Sequence, residues 1–167
     1  MRGLSYKLFV SHSFRDTALV RALQSLNVPG IELYIAEDDP RYGERVSAKI
    51  ESELDSSDAV VVFLTKNGKE SDSVNQEIGY AKKANKLIVA MVEHDQTVGV
   101  LLQGIEVIHF STDKVEDALK RVIRYLKPKA EKKERLGWII LGVIISLILI
   151  PILIALMLFL RGKTKRS

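Results

Sequence analysis

The sequence predicts a small α/β domain built on a parallel sheet, followed by one transmembrane helix. Over residues 1–126, short apolar and β-branched runs alternate with amphipathic stretches, a pattern typical of alternating strands and helices. Residues 138–160 then form an uncharged, mainly apolar run of 23 residues. At about 1.5 Å per residue, a helix of that length spans roughly 35 Å, enough for a bilayer core of about 30 Å.

The first half of the chain contains two predicted strand–helix units. Residues 6–10 are an apolar strand, and residues 15–26 carry their apolar side chains on one helical face. A Pro–Gly turn leads to a second strand at residues 31–35, after which residues 37–44 are a polar loop. A helix then runs to about residue 56, with apolar residues at i, i+4 and i+8.

The second half contains three more predicted strands. Strands are predicted at residues 58–64 and 86–92, which are continuously apolar after a first charged residue, as expected of central strands covered on both faces. A helix at residues 71–85 lies between them and begins at a serine that can cap it. A strand at residues 107–110 and a helix at residues 115–126 complete the domain. Five strands with intervening helices predict a flavodoxin-like parallel sheet, in the order 2-1-3-4-5, with helices on both faces.

The remaining segments are connections. Residues 66–70 are expected to be a polar loop and residues 98–103 a short helix. The sequence Lys127-Pro128-Lys129 is expected to end the last helix, because proline removes a helix hydrogen bond, and to begin a basic linker. The predicted organisation is a domain at residues 1–126, a linker at 127–136, a transmembrane helix at 137–160 and a basic tail at 161–167.

The charge is distributed unevenly. Residues 127–167 contain nine Lys and Arg against two Glu, whereas residues 1–126 contain 16 Lys and Arg against 19 Asp and Glu. The basic pI therefore belongs to the flanks of the apolar segment, where cations contact lipid headgroups. An acidic domain does not favour nucleic acid as a partner.

The layout predicts a single-pass, tail-anchored membrane protein. No N-terminal signal peptide is recognisable, and seven residues follow the apolar run. Moving seven residues across a bilayer is easier than exporting 126, so the domain is expected to face the cytoplasm. The absence of cysteine excludes disulfides and fits a reducing compartment.

Candidate chemistry lies where ligands collect in open parallel sheets, beyond the carboxyl ends of the strands near the reversal of strand order. Neither a dinucleotide-binding nor a phosphate-binding glycine motif occurs, and three scattered His without Cys predict no metal site. Glu77 lies at the edge of the apolar stripe of the helix predicted at residues 71–85, so its carboxylate is expected to point toward this edge of the sheet. The alternative is a solvated helix carboxylate stabilised by the helix dipole.

Four blocks, in order, resemble the TIR (Toll/interleukin-receptor) domain of the microbial type. They are LFVSHS at residues 8–13, YIAEDDPRYG at 34–43, SDAVVVFLT at 57–65 and SDSVNQEI at 71–78. The first is followed by Arg15 and Asp16, and the last is similar to the family signature S-x-W-V-x-x-E-[IL]. Ser73 replaces the usual Trp of that signature, whereas Glu77 retains the carboxylate.

In enzymatic members, the resemblance implies cleavage of the nicotinamide–ribose bond of NAD+ in stress or defence signalling, with Glu77 as the catalytic residue. NAD+ is then the substrate, and no cofactor is expected. Nicotinamide is a cationic leaving group that needs no general acid, and a fixed carboxylate stabilises an oxocarbenium-like transition state. The remaining substrate-binding candidates are Ser71, Ser11, His12, Arg15 and Tyr42.

The resemblance also implies self-association through TIR domains. The loop at residues 37–44 corresponds to the BB loop of the family, an interaction loop that closes on a glycine. Its candidate contact residues are Asp39, Pro40, Arg41 and Gly43.

Two other functions remain open. Many members of the family are non-catalytic interaction modules, and the loss of Trp at Ser73 favours that alternative. The sequence EIGYA at residues 77–81 is also similar to the catalytic Glu segment of nucleoside deoxyribosyltransferases.

Overall fold

The computed structural model describes residues 5–35, 46–97 and 99–164. The strands are β1 (Tyr6–Ser11), β2 (Ile31–Tyr34), β3 (Ala59–Leu64), β4 (Leu87–Glu93) and β5 (Glu106–Phe110). The helices are α1 (Thr17–Ser25), α2 (Val46–Ser56), α3 (Lys66–Lys69), α4 (Asp72–Lys83) and α5 (Val115–Thr164). Short 3-10 helices occupy Phe14–Asp16, Val100–Leu102 and Thr112–Lys114.

The five strands form one parallel sheet in the order β2-β1-β3-β4-β5, as predicted. The carboxyl ends of all five strands therefore lie along one edge, called here the carboxyl edge, and their starts lie along the opposite, amino edge. Strand order reverses between β1 and β3, so the carboxyl ends of these two strands border the crevice in which this fold class binds ligands.

The sheet separates two hydrophobic cores. Every residue of β3 is buried, and successive side chains point to opposite faces. Val61 and Phe63 belong to the core on the side of α1 and α5. Val60 and Val62 belong to the core on the side of α2 and α4. A strand covered on both faces is apolar throughout, which is why β3 was recognisable from its composition.

The loop expected at residues 66–70 is instead the four-residue helix α3. Its N-cap is Thr65, whose side-chain oxygen accepts a hydrogen bond from the Gly68 backbone N–H at 3.0 Å. Capping stabilises a turn whose sequence, rich in Lys, Asn and Gly, carries no apolar periodicity. The short helix expected at residues 98–103 is present as the 3-10 helix Val100–Leu102, and the polar loop at residues 37–44 lies outside the described residues.

The last helix does not end at Pro128. α5 continues through Pro128 and Pro151 to Thr164, so the expected linker at residues 127–136 is helical. Tertiary contacts explain the continuity, because Ala130 is buried in the core and Lys133 is bonded to the domain. These contacts offset the hydrogen bond that proline removes.

From residue 138 to residue 153, α5 is almost entirely apolar and exposed. One stretch, Thr112–Leu153, contains a segment long and apolar enough to cross a membrane. Trp138 is 62% exposed and Leu147 is 68% exposed. This part of α5 is a candidate membrane span.

Candidate active site

Two of the predicted site residues, Ser11 and Glu77, are in direct contact at the carboxyl edge. Ser11 is the last residue of β1 and is 1% exposed. Its hydroxyl donates a hydrogen bond to Glu77 Oε2 at 2.5 Å. Side chains alternate along β1, so Ser11 lies on the same face as Phe9, which belongs to the core beneath α4. The contact thus follows from the strand period and from the packing of α4.

Glu77 is held at this position by the apolar residues around it in α4. Val74 and Ile78 are buried in the core, which sets the rotation of the helix. Glu77 lies between them along the chain and is half-buried. Burial raises the pKa of Glu77 from its ordinary value of 4.5 to about 7, although the hydrogen bond from Ser11 acts in the opposite direction. At neutral pH the carboxyl group is therefore close to its midpoint of ionisation.

A buried carboxylate, Asp16, connects two segments at the carboxyl edge. Asp16 is 6% exposed, and its two oxygens accept hydrogen bonds from Thr65 Oγ1 at 2.6 Å and Asn67 Nδ2 at 3.0 Å. These bonds join the segment after β1 to the segment after β3. A buried carboxylate is tolerated only when its oxygens are paired, so Asp16 fixes the spacing of the two segments that border Ser11.

Ser71 is the N-cap of α4 and accepts a hydrogen bond from the backbone N–H of Val74 at 3.5 Å. Its hydroxyl also lies 2.9 Å from that of Ser73. Ser73 is exposed and precedes Glu77 by four residues, so the two side chains are neighbours on one helical face. Ser73 stands where the family signature has Trp. The neighbour of Glu77 in the first turn of α4 is therefore a small hydroxyl side chain instead of an indole ring.

Two other predicted binding residues, His12 and Arg15, follow Ser11 in the segment after β1. His12 directly follows Ser11 and is half-buried, with Nδ1 3.4 Å from the Val10 carbonyl oxygen. Arg15 is exposed in the 3-10 helix after β1. Two further predictions, Tyr42 and the interaction loop with its four candidate residues, lie outside the described residues.

Thr65 and Asn67 were not predicted as part of the site. Thr65 precedes Gly68 by three residues, a spacing that suits a hydroxyl cap, but nothing local indicates that both side chains meet Asp16. Within the described residues, no group of three or more His, Asp or Glu side chains is placed to hold a metal ion.

A family model for the TIR domain matches residues 8–123, which is most of the chain. The protein therefore belongs to the TIR domain family, and TIR domains generally associate with one another. No curated protein sequence matches the chain significantly.

Solved structures share the fold at low sequence identity. The TIR domain of the Toll-related receptor TRR-2 from Hydra magnipapillata is 13% identical with a TM-score of 0.62, over 74% of this chain and 99% of that one. The CMP N-glycosidase BcmB of Clostridium botulinum is 14% identical with a TM-score of 0.51, over 70% of this chain and 97% of that one. Translation elongation factor SelB of Methanococcus maripaludis, in complex with a GTP analogue, is 13% identical with a TM-score of 0.54, over 76% of this chain and 35% of that one. At these identities the likeness concerns the fold alone.

Proposed function

We propose that this protein is a membrane-anchored TIR-domain enzyme that cleaves the nicotinamide–ribose bond of NAD+, as a hydrolase or cyclase, in stress or defence signalling. The observation that carries the proposal is the half-buried carboxylate of Glu77, bonded to Ser11 at the carboxyl edge of the sheet. A carboxylate that is partly removed from water interacts more strongly with a developing positive charge than a solvated one does.

For this reaction the protein has to position the substrate and to stabilise the positive charge that develops on the ribose. The bond between C1′ and the nicotinamide nitrogen breaks, and nicotinamide departs with the electron pair as a neutral molecule. Glu77 stabilises the oxocarbenium-like ribose and accepts a hydrogen bond from a ribose hydroxyl. Water, or a nucleophile of the substrate itself in cyclisation, then adds to C1′ and loses a proton. Because its pKa is raised to about 7, the Glu77 carboxylate is also a better proton acceptor at that step than an ordinary Glu.

Membrane anchoring through residues 137–160 is supported by the exposed apolar surface of α5 and by the basic residues on both flanks of that segment. We place the TIR domain in the cytoplasm, where NAD+ is present. The absence of cysteine fits that reducing compartment, in which disulfides are rare. Confinement to a surface raises the effective concentration of weakly associating domains, which favours TIR–TIR contacts between copies.

The test is NAD+ turnover by the full-length protein in liposomes, compared between wild type, Glu77→Gln and Asp72→Asn. Asp72 is an exposed carboxylate in the first turn of the same helix and serves as the matched control. We expect nicotinamide release by wild type and by the Asp72 variant, and a loss of at least about 100-fold in the Glu77 variant. Wild-type turnover by Glu77→Gln would show that the catalytic assignment is wrong.

Two alternatives are tested by the same preparation. The CMP N-glycosidase of Clostridium botulinum shares this fold and also acts on an N-riboside, so CMP and a deoxynucleoside belong in the substrate panel. Phe14 lies at the carboxyl edge and is 77% exposed, which favours a second candidate, a non-catalytic module that binds other TIR domains. Release of a pyrimidine base would support an enzyme that cleaves pyrimidine nucleotides or nucleosides. No turnover of any substrate, combined with self-association, would support the non-catalytic module.

A further inference from the structure

The direction in which α5 crosses the sheet is fixed by its buried side chains. The helix begins just after the carboxyl end of β5 and passes over the face it shares with α1. Its buried residues are Ala118, Leu119, Val122, Leu126 and Ala130. At about 1.5 Å per residue, the path from Val115 to Ala130 covers roughly 22 Å, close to the roughly 20 Å length of a six-residue strand. The helix therefore leaves the domain at the amino edge of the sheet, opposite Ser11 and Glu77.

At the amino edge, hydrogen bonds from Lys133 connect α5 to the residues that precede β1 and β3. Its Nζ donates hydrogen bonds to the Ser5 carbonyl oxygen at 3.0 Å and to Asp58 Oδ2 at 2.6 Å. Ser5 precedes β1 and Asp58 precedes β3. The same Asp58 oxygen accepts a bond from the Lys7 backbone N–H at 2.8 Å. The last contacts between helix and domain are thus made where the central strands begin.

Very little chain separates these contacts from the apolar segment. Trp138, the first residue of the 23-residue apolar segment, follows Lys133 by five residues in the same helix, a rise of about 7.5 Å. The headgroup layer of one leaflet is itself about 5–7 Å thick. A continuous helix of this length leaves no room for water or another domain between the amino edge and the headgroups.

Charge also suits this arrangement. Residues 127–136 contain five Lys and Arg against two Glu, and they surround the point at which the helix leaves the domain. Cations next to a span contribute attraction to anionic headgroups. Lipid headgroups are therefore the partner that this edge fits.

We propose that the amino edge of the sheet rests on the lipid headgroups and that the carboxyl edge, with Ser11 and Glu77, faces away from the membrane by about one strand length. This orientation rests on the membrane anchor proposed above. Its consequence is that the candidate site opens to the aqueous phase at a fixed height. Copies in one membrane then share one orientation and meet side to side rather than carboxyl edge to carboxyl edge.

The experiment uses the full chain, which contains no cysteine, in vesicles of phosphatidylcholine and phosphatidylglycerol. Ser25→Cys, at the exposed end of α1 near the amino edge, and Phe14→Cys, at the carboxyl edge, each provide one site for a fluorescent label. Energy transfer to an acceptor lipid measures the height of each label. We expect the Ser25 label at headgroup level and the Phe14 label about 20 Å farther away, the length of a six-residue strand. Equal heights, or a Phe14 label nearer the bilayer, would overturn the proposal.

A matched control separates orientation from anchoring. A flexible Gly-Ser segment inserted between Arg135 and Leu136 leaves the span and the Lys133 contacts unchanged but uncouples them. We expect the height difference between the two labels to collapse in this variant, and a difference that persists in full would contradict the role of the rigid helix. Flotation with the vesicles is measured first. A chain that does not float refutes the membrane anchor itself, which is a different result from a floating chain with equal label heights.

Discussion

At the scale of single residues, the site is defined by the few polar partners of Glu77. Among the described residues, its carboxylate accepts a side-chain hydrogen bond from one neutral donor, Ser11, whereas the buried carboxylate of Asp16 accepts from two donors. Burial consequently dominates the behaviour of Glu77, and its pKa rises to about 7. A structural carboxylate is usually paired well, and a poorly compensated one at the ligand-binding edge of a sheet is a candidate for function.

The raised pKa predicts a dependence of stability on pH. The folded pKa of Glu77 lies above the ordinary value of 4.5, so the folded state binds more protons than the unfolded state between about pH 4.5 and pH 7, and stability falls as pH rises through this window. Glu77→Gln removes the ionisation. We expect this variant to unfold at a higher temperature than wild type near pH 8, with a gain of up to about 3 kcal/mol in the free energy of unfolding. Near pH 4 we expect the two proteins to unfold at the same temperature.

Thermal melts across this pH range measure the difference. The control is Asp72→Asn in the first turn of α4, where the loss of a favourable interaction with the helix dipole lowers stability by a few tenths of a kcal/mol. A Glu77 variant that is less stable than wild type near pH 8 would contradict the assigned burial.

The Ser11 hydroxyl predicts a shift in the pH profile of activity. Its hydrogen bond stabilises the ionised form of Glu77 and lowers the pKa, so Ser11→Ala raises that pKa further. If catalysis requires the carboxylate, activity rises with pH through the Glu77 pKa, and the midpoint of this rise moves to higher pH in the variant. The measurement is kcat/KM for NAD+ against pH.

Ser13→Ala is the control for this shift. Ser13 caps the 3-10 helix after β1 by accepting from the Arg15 backbone N–H at 3.4 Å, and its loss is expected to leave the midpoint unchanged. A midpoint that stays in place or falls in Ser11→Ala would show that the hydroxyl does not tune Glu77.

At the scale of elements, α3 shows how tightly the carboxyl edge is assembled. The helix lies directly against the end of β3, because a Cβ on Gly68 would be 2.1 Å from the Phe63 carbonyl oxygen. Thr65 caps α3 and at the same time donates to Asp16. The packing of four residues therefore connects β3, the segment after β1 and the start of α4.

The close approach at Gly68 predicts opposite effects for two glycine substitutions. Gly68→Ala forces the backbone of α3 away from β3 and is expected to lower the free energy of unfolding by at least about 2 kcal/mol. Gly79→Ala, in α4, meets no atom within 4 Å and is expected to raise it by about 0.5–1 kcal/mol, because alanine restricts the unfolded chain and favours helix. Denaturant unfolding of both variants measures the pair, and similar values for the two would refute the packing described for α3.

At the scale of the whole molecule, α5 joins the folded domain to the candidate membrane span without a flexible linker. The sequence-based domain boundary at residue 126 falls within this helix. Ala130 and Lys133 lie beyond that boundary but contact the domain, so the structural unit extends a further two turns.

This boundary can be tested by truncation. We expect a fragment ending at residue 135 to be more stable than one ending at residue 126 by roughly 1–2 kcal/mol, because the shorter fragment lacks the burial of Ala130 and both hydrogen bonds of Lys133. Chemical denaturation of the two fragments measures the difference. Lys133→Ala in the longer fragment should lower its stability part of the way, and identical stabilities for both fragments would show that these contacts contribute nothing.

The sequence alone predicted the strand order, the central strands and, as one of two alternatives, the position of Glu77 at the carboxyl edge. Each depends on a local pattern: continuous apolar runs for strands covered on both faces, the chirality of crossovers for their order, and the position of Glu77 beside Val74 and Ile78 for its direction. Such patterns are readable because they repeat along the chain with the period of the element.

Only the tertiary structure decided three other features. These are the contact between Ser11 and Glu77, the pairing of Asp16 with Thr65 and Asn67, and the passage of α5 through Pro128. Each depends on residues far apart in sequence. The residue numbers of the partners differ by 66 in the first case, by 49 and 51 in the second, and by 75 for Lys133 and Asp58 in the third. Local propensity favours a loop at residues 66–70 and a helix end at Pro128. Burial and long-range hydrogen bonds outweigh these differences in helix propensity once the sheet is assembled.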